Sequence, residues 1–266
     1  MTFEYALSRI KLAFKEMITY KVELIMHTIR APLFLLTSYF VWKAIFTNTG
    51  QAVIRGFTFN QMFTYYVLVY LIGFVVGTNV DSQIAYKIKK GTLTKDLIWP
   101  RNFIVARLYT TLGTRFFLLI LPIIPAFLVM TLLFDLTMVS GLGLLILAVA
   151  AILGFLLSFF LTFLFGISAF WLKDYEGFKY FRWGLGLVLA GSFFPLSLLP
   201  DAIRRIVEVL PFAYTRYKIV QIGMGQLSVI ESLTVLAIQA VWIIVFILLC
   251  RYLWSKGIRH YQGVGA

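Results

Sequence analysis

The sequence predicts an all-α integral membrane protein with six transmembrane helices, an N-terminal interfacial amphipathic helix, and short re-entrant helices between spans five and six. Of its 266 residues, 61% are hydrophobic and only 13% are charged, and the mean hydropathy is +0.91. Soluble domains are about 45–50% apolar and about 25% charged, so lipid must be the solvent for most of this chain. Long apolar runs recur with basic residues between them, which is the pattern of a multi-pass protein.

The first segment, residues 1–22, is predicted to be an amphipathic helix. One narrow face carries apolar residues at steps of three and four, namely Phe3, Leu7, Ile10, Phe14 and Met17. A helix of this kind lies in the plane of the lipid headgroups. Packing of the same face against another subunit is the alternative.

Six spans and their orientation follow from hydropathy and charge. The predicted spans cover residues 24–46, 59–80, 116–134, 142–171, 183–199 and 232–252. Most of the 24 Lys and Arg residues precede span one, follow spans two and four, or lie in the tail. By the positive-inside rule both termini are cytoplasmic, and residues 1–266 form one transmembrane domain of the cytoplasmic (inner) membrane.

The segment 200–225 lies on the outer side but does not have the composition of a polar loop. Pro200 suits the first turn of a helix, in which Ile203 and Val207 are at helical spacing, and Pro211 ends that helix. A second apolar stretch then runs to a glycine pair at 223 and 225. We expect two short outer-leaflet helices that re-enter the membrane; a plain surface loop is the alternative.

Several classes of function find no support in the sequence. The net charge of +13 would suggest nucleic acid in a soluble protein. Here the bases flank apolar runs, so membrane lipid explains them and no nucleic acid is expected. The chain has no G-x-x-x-x-G-K-[ST] loop and no hydrolase or metal motif, so we expect no enzyme, no metal and no cofactor of its own. None of the 11 acids lies in the middle of a predicted span, which disfavours ion-coupled transport.

Small residues mark two helix surfaces that allow close packing. Span four has four of them at four-residue spacing: Gly154, Ser158, Thr162 and Gly166. We expect this stripe to pack within the chain. Span two has Gly73 and Gly77, for which packing within the chain and a subunit interface both stay open.

Polar groups in span two are candidates for lining a substrate path. Tyr70 is the deepest tyrosine, and Thr78 and Asn79 follow it. Tyr65 and Tyr66 lie nearer the outer end, where an interfacial aromatic belt is the expected role.

The loop 83–100 has the composition of a docking element. Apolar side chains alternate with lysines over a short helical stretch that Gly91 and Pro100 interrupt; the apolar ones are Ile84, Ile88, Leu93, Leu97 and Ile98. A short amphipathic helix projecting into the cytoplasm is a docking element. A basic loop that binds lipid headgroups is the alternative.

The order of these elements resembles the permeases of type-2 ABC exporters. The matching residues are Lys90-Gly91-Thr92-Leu93, Leu97-Ile98-Trp99-Pro100, Gly191-Ser192-Phe193-Phe194-Pro195-Leu196, Pro200, Leu210-Pro211-Phe212 and Gly223. More narrowly, the chain resembles the roughly 260-residue permeases that include viologen and drug exporters. Such permeases often have an acidic residue shortly before the loop glycine, but residues 86–90 of this chain contain none. They also often have a proline near the position of Lys218, which this chain lacks.

The resemblance implies a partner and two sets of site residues. A separate ABC ATPase dimer would bind ATP and Mg, and a second permease, the same chain or a different one, would complete the complex. The coupling residues would be Ile84, Lys87, Ile88, Lys90, Gly91, Leu93 and Leu97. The substrate path would include Tyr70, Thr78, Asn79, Ser192, Phe193 and Phe194. The function implied is outward transport of an amphipathic or lipophilic substrate. The alternatives are a carrier or channel driven by an ion gradient and a membrane enzyme acting on lipids.

Overall fold

The protein is helical throughout the part that the structure, a computed structural model, describes. The described residues are 8, 21–98, 102–119, 134, 136, 138–172 and 175–261. Their helices are α1 (Lys21–Thr49), α2 (Phe59–Val76), α3 (Val80–Lys89), α4 (Leu93–Leu97), α5 (Phe103–Leu118), α6 (Leu142–Ile167), α7 (Glu176–Leu189), α8 (Asp201–Val209), α9 (Pro211–Thr215), α10 (Tyr217–Gly223) and α11 (Val229–His260). Within these residues no strand forms, and a single bridge joins Ile54 to Phe57.

Three helical segments in this part are long and apolar enough to cross a membrane. They are Phe59–Lys89, which combines α2 and α3, Leu142–Phe170, which extends α6 by a 3-10 turn, and Val229–His260. They confirm helices at predicted spans two, four and six. Capping boxes begin two of them, because Thr58 pairs with Gln61 before α2 and Ser228 pairs with Glu231 before α11.

Helix α6 is the centre of the packing, with α11, α3, α2, α9 and α10 around it. Its small residues allow these close approaches. A Cβ on Gly154 would lie 2.4 Å from Ile219 Cδ1, and a Cβ on Gly166 would lie 2.8 Å from the Cα of Asp81. The predicted packing of this stripe within the chain is therefore confirmed.

Predicted span five is not one continuous helix. Helix α7 begins at Glu176, ends at Leu189, and is followed by non-helical backbone to Pro195. Gly191 adopts φ +68°, a conformation that favours glycine and turns the chain. The hydroxyls of Tyr65 and Tyr66 donate hydrogen bonds to the carbonyls of Gly191 and Phe193. The expected interfacial role of these two tyrosines is wrong, because they are buried and hydrogen-bond the non-helical backbone that follows α7.

The remaining predicted spans are only partly covered. Helix α1 contains all of predicted span one, and only Leu35 and Ser38 are buried among its described side chains. Helix α5 ends at Leu118, and most of predicted span three lies outside the described residues. The same holds for the predicted N-terminal helix over 1–22, of which residues 8, 21 and 22 alone are described.

The segment 200–225 forms three short helices, where two were expected. Arg216 has φ −142° and ψ −59°, which interrupts the helix between α9 and α10. Pro211 begins α9, as its fixed φ and missing N–H favour. Ala213, Ile219 and Val220 are fully buried. The segment is therefore part of the packed core and is not a plain surface loop.

Candidate functional site

A helical elbow continues from the apolar span of α2. After a break at residues 77–79, α3 extends to Lys89, Gly91 turns the chain with φ +68°, and α4 follows. Asp96 in α4 forms ion pairs with Lys87 in α3 and with Arg107 in α5, the latter at 3.4 Å. These contacts link α4 both to α3 and to α5.

The predicted coupling residues fall on two sides of this elbow. Ile84 and Leu93 are completely buried, and Ile88 and Leu97 pack against the core. Lys90 is exposed and Lys87 is held by Asp96. The exposed apolar side chains are Tyr86 at 62% and Ile98 at 77%. Sequence reasoning missed Tyr86, although its position two residues after Ile84 puts it on the opposite helix face.

The inner end of the elbow is fixed by a buried ion pair. Asp81 in α3 is fully buried, and Arg182 Nε in α7 lies 2.7 Å from its Oδ2. Tyr175 donates a hydrogen bond of 2.9 Å to the same oxygen. Predicted span two stops at residue 80, but the helical segment continues through α3 to Lys89, so Asp81 lies inside the candidate membrane segment. The pair joins the elbow to the helix that precedes Gly191.

Tyr70 lines a cavity between α1, α2 and α5. The cavity measures about 340 Å³ and is lined by Arg30, Phe34, Tyr70, Gly73, Phe74 and Arg115. The Tyr70 hydroxyl is buried and has no hydrogen-bond partner among the described residues. Tyr70 is the one predicted path residue that lines this cavity.

The other predicted path residues do not share one site. Thr78 Oγ1 contacts Thr162 Oγ1 on α6, and exposed Asn79 accepts a hydrogen bond from Gln83. Buried Ser192 accepts one from Arg216 at 2.7 Å. Phe193 is 68% exposed and its ring packs against that of Phe194.

Arginines surround the glycines of α2. The Arg216 guanidinium lies 3.5–3.7 Å from where a Cβ on Gly73 would be, and Arg115 Nη1 lies 3.7 Å from the corresponding position on Gly77. Gly73 and Gly77 therefore lie beside charged side chains of the same chain. The sequence did not indicate this proximity, because both arginines have the pattern of charges that flank a span. The described part of the chain contains no cluster of His, Cys, Asp and Glu able to hold a metal ion.

These features define an integral membrane protein of apolar helices with a basic helical elbow and charged groups at an open cavity between helices. A family model described as "ABC-2 family transporter protein" matches residues 33–265, so the chain belongs to that family and is a permease of an ABC transporter. Permeases of this family normally pair with an ATPase subunit. No curated protein sequence and no solved structure matches the chain significantly.

Proposed function

We propose that this chain is the permease subunit of a type-2 ABC exporter. It moves an amphipathic or lipophilic substrate outward using ATP that a separate subunit hydrolyses. ATP and Mg bind to that partner, and the chain alone hydrolyses no ATP. Two permeases, identical or different, assemble with two ATPase subunits. The viologen and drug exporters remain the subfamily of comparison.

The observation that carries this proposal is the elbow itself. It continues from an apolar span, is held together by the Lys87–Asp96–Arg107 contacts, and is tied to α7 through Asp81 and Arg182. Movement of the elbow by an ATPase would therefore pull on both α3 and α7. These helices adjoin the residues of the expected substrate path.

The ATPase-contacting surface of the elbow consists of Tyr86, Lys89, Lys90 and Ile98. These side chains are exposed, and they combine apolar contact area with positive charge. An exposed aromatic residue beside lysines fits a partner surface with an apolar pocket and acidic rim. Ile84 and Leu93 contribute by anchoring the elbow to the core.

The test is affinity purification of the tagged chain from its native membranes in an uncharged detergent. We expect an ATPase with a phosphate-binding loop to be recovered. The double variant Tyr86→Ala, Ile98→Ser should reduce its recovery at least tenfold. Ile230→Ser is the matched control, because Ile230 is also 77% exposed but lies at the start of α11. Absence of any ATPase, or equal recovery with both variants, would count against the proposal.

Coupling can be tested separately from assembly. Gly91→Ala strains a residue at φ +68° by about 1–2 kcal/mol, and Leu97→Ala removes packing of α4 against the core. Both variants should retain the ATPase and its hydrolysis but lose transport. Normal transport by both would contradict the role assigned to the elbow.

The proposed topology has six spans with both termini in the cytoplasm. Re-entry of the outer segment is supported by Arg216, which lies between α9 and α10 and reaches Gly73 inside the Phe59–Lys89 span. Cysteine accessibility from outside intact cells tests this arrangement. A cysteine at Arg205 should react with an impermeant reagent, and one at Lys256 should not.

Ion-coupled transport is the second candidate because Asp81 is a buried acid inside a candidate span. Its ion pair with Arg182 argues for a structural role. Transport in vesicles driven by a proton or sodium gradient without ATP would favour the carrier.

A further inference from the structure

The cavity beside Tyr70 combines an apolar wall with a basic one. The rings of Phe34 and Tyr70 stack with centroids 5.4 Å apart, and Phe74 packs against Tyr70 at 4.9 Å. Arg30 and Arg115 form the basic wall. Gly73 leaves the wall between these groups without a side chain.

The positive charge around this cavity has no matching negative charge among the described residues. No described ion pair involves Arg30, Arg115 or Arg216. Among the described residues, Arg115 donates a hydrogen bond to the Phe74 carbonyl at 3.5 Å, and its Nε is buried without a partner there. Asp81, the buried acid on the same span, is bound to Arg182.

Among the described residues nothing offsets this positive charge, and a bound anion would lower its free-energy cost. A charge inside a membrane protein is expensive without a partner, and such residues normally mark a ligand or ion path. Gly73 and Gly77 are one helical turn apart, so the guanidinium groups of Arg216 and Arg115 lie close together and repel each other. An anion between these groups and Arg30 would remove both penalties.

We propose that the cavity binds the anionic headgroup of an amphipathic molecule. Arg30 and Arg115 hold its phosphate or carboxylate group. A planar guanidinium group can bind such an anion through two parallel hydrogen bonds. The free Tyr70 hydroxyl donates a hydrogen bond to the same group. Phe34 and Phe74 contact the apolar chain. This assignment of ligand class rests on the proposed function as a permease.

The charge of the cavity decides between anionic and cationic ligands. An aromatic wall alone would suit a cation through its π faces. Here a cation would face at least two guanidinium groups. The Coulomb repulsion would exceed the cation–π stabilisation of about 0.5–2 kcal/mol. Either a transported molecule or a phospholipid of the surrounding bilayer supplies the anion.

Binding is tested on the purified permease in dodecyl maltoside. Decyl phosphate, below its critical micelle concentration, should raise the thermal unfolding midpoint, and decyltrimethylammonium should not. Arg115→Gln should weaken decyl phosphate binding at least tenfold. Arg205→Gln is the control, since Arg205 is exposed on α8, away from the cavity. Equal effects of the two surfactants, or unchanged binding by Arg115→Gln, would overturn the proposal.

Further variants keep the proposal testable if Arg115→Gln does not fold. Arg30 lies on the exposed rim, so Arg30→Gln should fold and weaken binding. Tyr70→Phe retains both aromatic contacts and should weaken binding about threefold to tenfold, the cost of one hydrogen bond. Unchanged binding by both variants would contradict the assigned site.

The source of the anion is distinguished in vesicles that contain the permease with its ATPase. Stimulation of ATP hydrolysis by decyl phosphate in wild type but not in Arg115→Gln identifies a transported molecule. Phospholipid phosphorus retained by purified wild type, lost in Arg115→Gln, and without effect on hydrolysis identifies a bilayer lipid. Both results support the anion site. The thermal assay needs no ATPase, so loss of the proposed function leaves its result unaffected.

Discussion

The buried pair of Asp81 and Arg182 offers a sharp test of how the elbow is held. Asp81→Asn removes the negative charge but keeps the shape of the side chain. Arg182, whose side chain is only 16% exposed, is then left without its charged partner. Breaking a buried pair by removing one partner costs about 3–5 kcal/mol, because the remaining charge stays buried and uncompensated.

The comparison within the same elbow is Asp96→Asn. Asp96 forms two ion pairs, but its side chain is 29% exposed. Water screens these contacts, so the expected cost is at most about 1 kcal/mol. The free energy of unfolding is measured for each purified variant in mixed micelles, from the denaturing fraction of dodecyl sulfate at the midpoint.

The double variant Asp81→Asn, Arg182→Gln separates the pair from other effects. It should be more stable than Asp81→Asn alone, since no unpaired charge remains. The reasoning is refuted if Asp81→Asn costs no more than Asp96→Asn, or if the double variant shows no recovery. In either case Asp81 would not be the group that fixes α3 to α7.

Three further predictions concern packing, polar contacts and capping, and each is measured by the same unfolding assay. Gly166→Ala should destabilise the protein by about 1–3 kcal/mol, because the new Cβ would lie 2.8 Å from Asp81 Cα; Gly184→Ala, with open space around it, should be neutral or slightly stabilising. Gln239→Leu should cost about 0.5–1.5 kcal/mol for each of the two backbone carbonyls that the buried amide now bonds, and a stabilising effect would contradict this. Ser228→Ala should cost about 1 kcal/mol by removing the cap of α11, with no change expected from Ser255→Ala in the last turns of the same helix.

The turns and the long helices could be predicted with reasonable accuracy from the sequence. Apolar length determined the helices around Val69, Phe155 and Ile243, since only a continuous helix satisfies its backbone in lipid. Gly91 and Gly225 both adopt positive φ, as their positions at predicted turns required. The prediction of span five as one continuous helix was wrong. The segment is apolar throughout, and the break after Leu189 depends on hydrogen bonds from two tyrosines that are distant in sequence.

The candidate site, too, could be predicted only in part from the sequence. Composition and local pattern indicated the loop around Gly91 and the path candidate Tyr70, and the resemblance of several short motifs to known permeases indicated the family, which the family model then showed. Composition did not indicate which side of α3 is exposed, because both Ile84 and Tyr86 can occupy a buried position and it is packing against α6 that buries Ile84.

What the sequence by itself determined is the solvent of this protein and the places where the chain turns, since both follow from local composition and backbone freedom. Only the tertiary structure decided where the charges lie. Arg115 and Arg216 are far apart in sequence, and each is indistinguishable there from a flanking base. Folding brings them beside Gly73 in α2 and beside Gly77, which follows the end of α2. Because electrostatic energy depends on distance in space and on burial, the basic cavity becomes visible only once the helices are packed.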